Sequence, residues 1–438
     1  MNEPHAGYIG LPSMHSFNET TDLHLGYMPN ALQSMSLAAG VPTSTPYFTR
    51  SWPHPSVITR KDVLNQDHIS AWLPGAPDIW QEERVFTIST TGEVEIGPKG
   101  DKYFATNPVT GGAIDFEQDF WIPFVRDFHR TMVKAVDGGK AGTWLFVEPI
   151  PNSHPPIWPS NSDFEENICY APHWYDIRAL YEKGLSYTVS FDVLSLASGS
   201  RNMLAHTYFG APGLTKNYAT NFRRFWKHLP IFRQGAKTPT PILIGETGVP
   251  WDMNMQAAYI TGNVHHQIRM TDSILAGMER SGAMSWTFWN LTLSHTTASN
   301  TPRLKCDNET RAPFQSGDSW NSEDFSIVSS DPATTELPLG NYHDISVRAN
   351  DNGIPLTRAA LFGDLYRGLR AAPAFLRPYP FALAGKLLKS EFSLDICRFE
   401  LEFEPSVADG LGAPMAVQPL PTARQVAEPS REPVTFCC

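Results

Sequence analysis

Three short segments carry groups able to make and break bonds. Asn2-Glu3-Pro4-His5 opens the chain, Pro172-His173-Trp174-Tyr175 lies near its middle, and Ile244-Gly245-Glu246-Thr247-Gly248 ends an apolar run. Glu3 and Glu246 are the candidate catalytic residues. Two carboxylates across a cleft, one protonated and one ionised, are the equipment of glycosidic bond cleavage: the acid protonates the leaving oxygen while the carboxylate attacks the anomeric carbon. Trp286 and Trp289 lie near the end of another apolar run, and their odd spacing turns them to opposite faces of a strand. One of them can lie under a sugar ring, whose C–H face packs on aromatic surface. Trp289, nearer the strand end, is favoured for that platform, and Trp286 for the core. Trp251, just past Glu246, is a further sugar-contact candidate.

Such groups converge only if elements deliver them to one place. Thr143–Glu148, Ile168–Tyr175, Pro241–Glu246 and Ala283–Asn290 read as strands ending in polar residues. Helical spacing of apolar residues marks Asp115–Val136, Tyr218–Phe232 and Ala257–Ser281, the last stopped by Gly282. Strands alternating with helices imply a parallel α/β sheet, and polar strand ends are how a (β/α) barrel builds its site. Periodicity alone leaves an open doubly wound sheet equally available. A hairpin is expected at Arg84–Ser89 and Glu93–Ile96 around Thr90-Thr91-Gly92. Thr292–Pro355 reads as loops on the active-site face, followed by a helix over Thr357–Ala372 and a strand over Ser390–Phe403. After Glu404 the composition turns to Pro, Ala and Val without periodicity, the pattern of a disordered tail.

Composition excludes other classes. The 438 residues carry 34 Lys and Arg against 45 Asp and Glu, a net charge of −11, with no basic block, which argues against a nucleic-acid partner. No GxGxxG or GxxxxGK[ST] motif is present, which counts against nucleotide binding. The five cysteines, Cys169, Cys306, Cys397, Cys437 and Cys438, form no ligand pattern, and His265-His266 on a helix point about 100° apart, so no metal site is expected. The chemistry needs no cofactor. No apolar run approaches the length of a membrane span, and no signal-peptide pattern opens the chain. The cysteine usage by itself fits a reducing compartment, which favours an intracellular location, cytoplasm or vacuole.

Taken together, Asn2-Glu3-Pro4-His5-Ala6-Gly7-Tyr8-Ile9-Gly10, His173-Trp174-Tyr175, Ile244–Asp252 and Arg377-Pro378-Tyr379-Pro380-Phe381-Ala382-Leu383-Ala384-Gly385 resemble glycoside hydrolase family 5, in its fungal branch related to endoglycoceramidases. The resemblance covers roughly residues 1–404. It implies a retaining (β/α)8 TIM barrel acting on lipid-linked β-glucosides of sterol or ceramide, with peripheral membrane contact through that glycolipid. Carried over by position, Glu3 is the general acid/base and Glu246 the nucleophile. Asn2 binds the sugar 2-hydroxyl, Tyr175 donates to Glu246, and His173 sits beside Glu3. An endo-acting glycosidase on longer glycans and a non-catalytic fragment are the competing readings.

The resemblance also implies three strands ahead of the Asn-Glu-Pro strand and a β-sandwich running well past Phe403. The chain is therefore expected to comprise a partial barrel lacking its first strands (1–377), the beginning of a β-sandwich (378–404) and the tail (405–438). On this reading both ends are truncated, and the chain expressed alone is expected to be insoluble or inactive. Cys437-Cys438 reads as a palmitoylation signal or as the product of an altered reading frame.

Overall fold

The computed structural model describes residues 3–16, 24, 26–50, 56–137, 144–153, 156, 168–185, 188–192, 194–195, 202–232, 240–261, 263–282, 285–293, 295, 323–329, 368–383, 385–405, 416–418 and 434–437. They fall into two compact units, Met1–Thr143 with Ala197–Gly199, and Trp144–Leu196 with Ser200–Cys438. The division falls inside the stretch that the sequence reading treats as one barrel domain.

In the first unit β1 (Gly26–Tyr27), β2 (Thr43–Arg50) and β3 (Ser56–Leu64) form an antiparallel sheet in that order. A capping box starts the helix Ala31–Ala38: the Gln33 N–H donates to the Asn30 side chain at 2.9 Å, and the Asn30 N–H donates to Gln33 Oε1 at 2.9 Å. Met14, Ala31, Met35, Val85 and Phe86 make a small core. The expected hairpin is present as β4 (Phe86–Ile88) and β5 (Val94–Ile96). The expected 115–136 helix runs over Ile122–Asp137, entered through a wide π turn at Glu117–Trp121.

The second unit holds the parallel strands. β6 (Leu145–Val147) pairs with β7 (Ile168–Tyr170). An antiparallel pair follows, β8 (Val189–Phe191) with β9 (Thr207–Phe209), and then β10 (Leu243–Ile244) and β11 (Ser285–Trp286) pair in parallel. Parallel bridges Tyr170–Ile242 and His173–Glu246 join β7 to β10, and Gly248–Trp289 extends the contact between β10 and β11. Four parallel strands therefore lie side by side in chain order.

Parallel neighbours need long crossovers, and helices supply them. Gly210–Phe232 connects toward β10 and starts earlier than periodicity suggested. It buries Leu214, Tyr218, Phe222 and Phe225 along one face. His265–Ser281 precedes β11 and buries Ile268, Ile274, Leu275 and Met278. A Cβ on Gly277 would stand 3.0 Å from Tyr218 Cβ and 3.2 Å from the Ala219 nitrogen, so this glycine lets the two helices approach closely. Gly282, at φ 84°, ends the helix as expected. The 257–281 helix is in fact two, Met253–Thr261 and His265–Ser281. The Asn263 N–H turns to Thr261 Oγ1 and the His265 N–H to Asn263 Oδ1, a local alternative to continuing the helix.

Beyond the short helix Ala372–Phe375 come β12 (Tyr379–Ala382), β13 (Gly385–Ser393), β14 (Arg398–Pro405), β15 (Ala416–Gln418) and β16 (Val434–Cys437). β12 pairs with β15, and β13, β14 and β16 form an antiparallel sheet. Two expectations are corrected here. Ser390–Phe403 is a hairpin and not one strand, turning at Leu394–Cys397 with Cys397 in the left-handed region at φ 45°. The tail after 404, expected without structure, contributes β15 and β16; Val434-Thr435-Phe436 is β-branched and aromatic sequence that suits an added edge strand. Most of the helix expected over 357–372, and most of the 292–355 loops, lie outside the described residues.

Arg377 ties this sheet to the 265–281 helix. Its Nε donates to Glu279 Oε1 at 2.6 Å and its Nη2 to Glu279 Oε2 at 3.1 Å, while the Phe392 N–H donates to the same carboxylate at 2.9 Å. The apolar side of the joint is Trp251, Ile268, Ala374, Phe392, Phe399 and Leu401.

Candidate active site

Strand alternation organises the site. In His173-Trp174-Tyr175 the outer two residues share a face and Trp174 takes the other. Trp174 is 3% exposed, with its ring 4.9 Å from Tyr218 and 4.7 Å from Phe222, so the 210–232 helix anchors the segment from behind. On the opposite face the Tyr175 hydroxyl donates to Glu246 Oε1 at 2.7 Å. His173 Nδ1 lies 3.7 Å from the same oxygen. Backbone bonds hold the two strand ends in register: Trp174 N–H to the Glu246 carbonyl at 2.9 Å, and Gly245 N–H to the Pro172 carbonyl at 2.9 Å.

The glycines flanking Glu246 are required by contact. A Cβ at Gly245 would meet the Ala171 carbonyl at 2.9 Å and His173 Cδ2 at 3.3 Å. A Cβ at Gly248 would meet the Trp289 carbonyl at 2.5 Å, Phe325 Cδ1 at 2.9 Å and Tyr175 Cε1 at 3.3 Å. Trp289 is fixed by its N–H, which donates to the Thr247 carbonyl at 2.6 Å, and its peptide bond to Asn290 is cis. The structure thus brings Glu246, His173, Tyr175 and Trp289 together at the carboxyl ends of β7, β10 and β11.

Glu3 belongs to the first unit, where it is exposed with φ 46°, and Asn2 lies outside the described residues. Trp286, half-buried, packs against Phe288 and Phe375, each at 6.2 Å between ring centroids. Trp251 is corrected as a sugar contact: it is 1% exposed, locked in the joint with β13 and β14, and covered by the Arg370 guanidinium at 4.7 Å. No face of its ring is open to a ligand.

Three residues went unread in the sequence. Glu148, at the end of β6, has Oε1 3.0 Å from His173 Nδ1, with both side chains 8% exposed. It ends a strand just as Glu246 does, and that placement was the available signal. Asn152 adopts φ 57°, which asparagine tolerates, and accepts the Tyr175 N–H on Oδ1 at 3.0 Å. Phe325 sits on a strut, residues 323–329, and its ring meets Tyr175 edge-on at 6.0 Å. The strut's backbone takes the Trp251 N–H at 2.8 Å and the Asn290 N–H at 3.1 Å. Asp324 anchors it, bound by Arg370 at 2.5 and 3.2 Å, by His295 at 2.9 Å and by the Tyr259 hydroxyl. Burial alone would raise the Asp324 pKa, but Arg370 and the hydrogen bond from His295 hold it down at about 2.

An α/β protein with parallel strands in chain order thus presents a hydrogen-bonded glutamate at a strand end. Residues 377–423 match the glycoside hydrolase family 5 C-terminal domain. The chain is 31% identical over 405 residues to a glucosylceramidase of Rhizopus delemar, covering 92% of this chain and 53% of the relative. It is 25% identical over 456 residues to the ergosteryl-beta-glucosidase of Saccharomyces cerevisiae, covering 90% and 54%. In fold it resembles the crystal structure of Cryptococcus neoformans sterylglucosidase 1, with a TM-score of 0.70 at 19% identity, covering 92% of this chain and 52% of the other. The chain is therefore similar to these fungal enzymes over most of its length, and its residues 377–423 match a family 5 C-terminal domain. It spans about half the length of the curated relatives it matches.

Proposed function

We propose that the protein is a retaining β-glucosidase acting on lipid-linked β-glucosides, those of sterols or ceramide, with the second unit supplying the nucleophile wall of a partial (β/α)8 barrel that leads into a β-sandwich. The observation that carries this reading is the Tyr175 hydroxyl 2.7 Å from Glu246 Oε1 at a parallel strand end. A phenol donating to the ionised carboxylate keeps it charged and aimed. Glu246 attacks the anomeric carbon to give a glycosyl ester, and water then releases the sugar with retained configuration. Glu3 is the acid that protonates the departing sterol or ceramide oxygen and the base that activates water. Asn2 binds the 2-hydroxyl and Trp289 offers the sugar platform. A glucosylceramidase and an ergosteryl-beta-glucosidase among the relatives support both aglycones, and membrane contact follows from where such lipids reside.

The test uses steryl glucoside and glucosylceramide presented in mixed micelles. The first-formed glucose, read by NMR, should be the β anomer. Glu246→Ala should abolish turnover, with azide yielding an α-glycosyl azide. Glu3→Ala should keep more activity on substrates with good leaving groups. An α anomer from the unsubstituted protein, or identical behaviour of the two variants toward azide and leaving group, would overturn the assignment.

A further inference from the structure

The loop that follows β3 is at once apolar, exposed and ordered. Residues 69–77, Ile-Ser-Ala-Trp-Leu-Pro-Gly-Ala-Pro, carry no charge, and every one except the half-buried Trp72 is exposed. Ile69 shows 68% of its surface and Leu73 78%. Single exposed apolar side chains are ordinary, but a continuous uncharged run on a fixed backbone calls for a partner. This backbone is fixed. The Ile69 N–H donates to Asn65 Oδ1 at 2.9 Å, and Asn65 Nδ2 donates to the carbonyls of Ile69 at 2.9 Å and Leu37 at 3.0 Å. The Ala71 N–H donates to the Ala38 carbonyl at 2.9 Å, so the loop is tied to the end of the 31–38 helix. At the tip the Ala76 N–H donates to the Leu73 carbonyl at 2.9 Å around Pro74-Gly75. Gly75 has φ 81°, as a type II turn asks of its third residue. The turn holds Leu73 outward, and its ordering entropy is already lost before any partner arrives.

We propose that residues 69–77 dock the protein on a lipid bilayer, with Ile69 and Leu73 entering the boundary between headgroups and acyl chains. The proposal rests on the glucosidase reading, whose steryl and ceramide glucosides lie in a membrane, so that the enzyme works at a lipid surface. Charge selects the kind of surface. The run has no lysine or arginine to meet anionic headgroups, Asp67 and Asp78 flank it, and the whole chain carries −11. An anionic bilayer would repel this face, whereas a neutral, zwitterionic one asks only for apolar area. A protein partner would take its orientation from polar groups, and the run offers few. Its one hydroxyl, on Ser70, is used inside the protein, donating to the Ala38 carbonyl at 3.4 Å and accepting the Trp72 N–H at 3.1 Å. Asp78 is likewise occupied, accepting the Trp80 N–H at 3.0 Å and Gln81 Nε2 at 3.0 Å as the cap of the next short helix.

The experiment is sedimentation of the full chain with phosphatidylcholine vesicles, beside hydrolysis of steryl glucoside held in the same vesicles and of a soluble aryl β-glucoside. The unsubstituted protein should bind vesicles of phosphatidylcholine alone, and added phosphatidylserine should not strengthen binding. Ile69→Ser and Leu73→Ser should each weaken binding about tenfold, the scale of one aliphatic side chain returned to water. Both should slow hydrolysis in vesicles by a similar factor and leave turnover of the soluble glucoside and the urea midpoint unchanged. Leu73→Trp should bind at least as tightly, with its added indole fluorescence quenched by brominated lipid. Absence of vesicle binding, binding untouched by both serine variants, a requirement for phosphatidylserine, or an unquenched indole would sink the idea. A dimer that Leu73→Ser dissociates would also overturn it, giving the run to a second copy of the chain. Loop-dependent vesicle binding without hydrolysis of either glucoside refutes the glucosidase reading and leaves the docking surface standing; hydrolysis with loop-independent binding does the reverse.

Discussion

At the scale of single residues, Tyr175 is where removal of one oxygen should be most informative. Its hydroxyl donates to Glu246 at 2.7 Å, and a hydrogen bond to a charged group is worth about 1.5–3 kcal/mol. Tyr175→Phe should therefore lower kcat/KM by roughly 10- to 100-fold. The acid limb of the pH–rate profile should move to higher pH, since the carboxylate loses the donor that favoured its charged form. Steady-state rates between pH 4 and 8 check both effects, and a profile superposable on that of the unsubstituted protein would exclude the role. His173, Tyr175 and Glu246 were legible because strand alternation and a glycine-flanked carboxylate are local patterns. Glu148 was not, since its partner stands on another strand and a strand-end glutamate is more often a surface residue.

At the scale of elements, the join between β10 and β11 is set by the lack of a side chain. Gly248→Ala would drive a methyl group to 2.5 Å from the Trp289 carbonyl, a backbone atom that cannot swing aside. Such overpacking costs about 1–3 kcal/mol and should displace Trp289, so activity falls with stability. Gly282→Ala strains only a helix cap at φ 84°, at a cost of about 1 kcal/mol, and should leave turnover unchanged. Urea unfolding and glucosidase assays on both variants separate the cases; equal activity losses would contradict the argument. The strand and helix order was readable from periodicity, whereas the 394–397 turn was not. It uses Leu394, Asp395, Ile396 and Cys397, with no glycine or proline to mark it, and both its strands bury one common face through Phe392, Phe399 and Leu401.

At the scale of the whole molecule, the second unit depends on a buried charge. Asp324 has a pKa near 2 in the folded protein against about 3.9 in an unfolded chain, worth roughly 2–3 kcal/mol of folding free energy. The sign follows from the depression: the contribution is complete above about pH 4 and is lost as pH falls toward about 2. Asp324→Asn leaves the buried Arg370 without its carboxylate and should cost about 3–5 kcal/mol at pH 7. Its deficit should shrink below pH 4, where the unsubstituted protein loses the same charge. Urea unfolding at pH 7, 4 and 3 reads this, and a constant deficit across the range would refute it. Nothing local foretold the strut. Residues 323–329 lie in a stretch whose composition reads as loop, and their partners at 251, 259, 290, 295 and 370 are brought in only by tertiary folding.

The parallel arrangement of β6, β7, β10 and β11 also fixes an order of assembly. Each strand meets its neighbour only after an intervening crossover has been made, so the Glu246 environment has high contact order. During translation β6 and β7 can pair early, and Glu246 emerges against a ready His173 and Tyr175. Its other side, Trp289 and Phe325, follows up to about 80 residues later, a delay of roughly 4–16 s at ordinary ribosome speeds. Through that interval the nascent chain exposes one unpaired edge of β10, which makes this stretch of synthesis the one where a chaperone has most to protect.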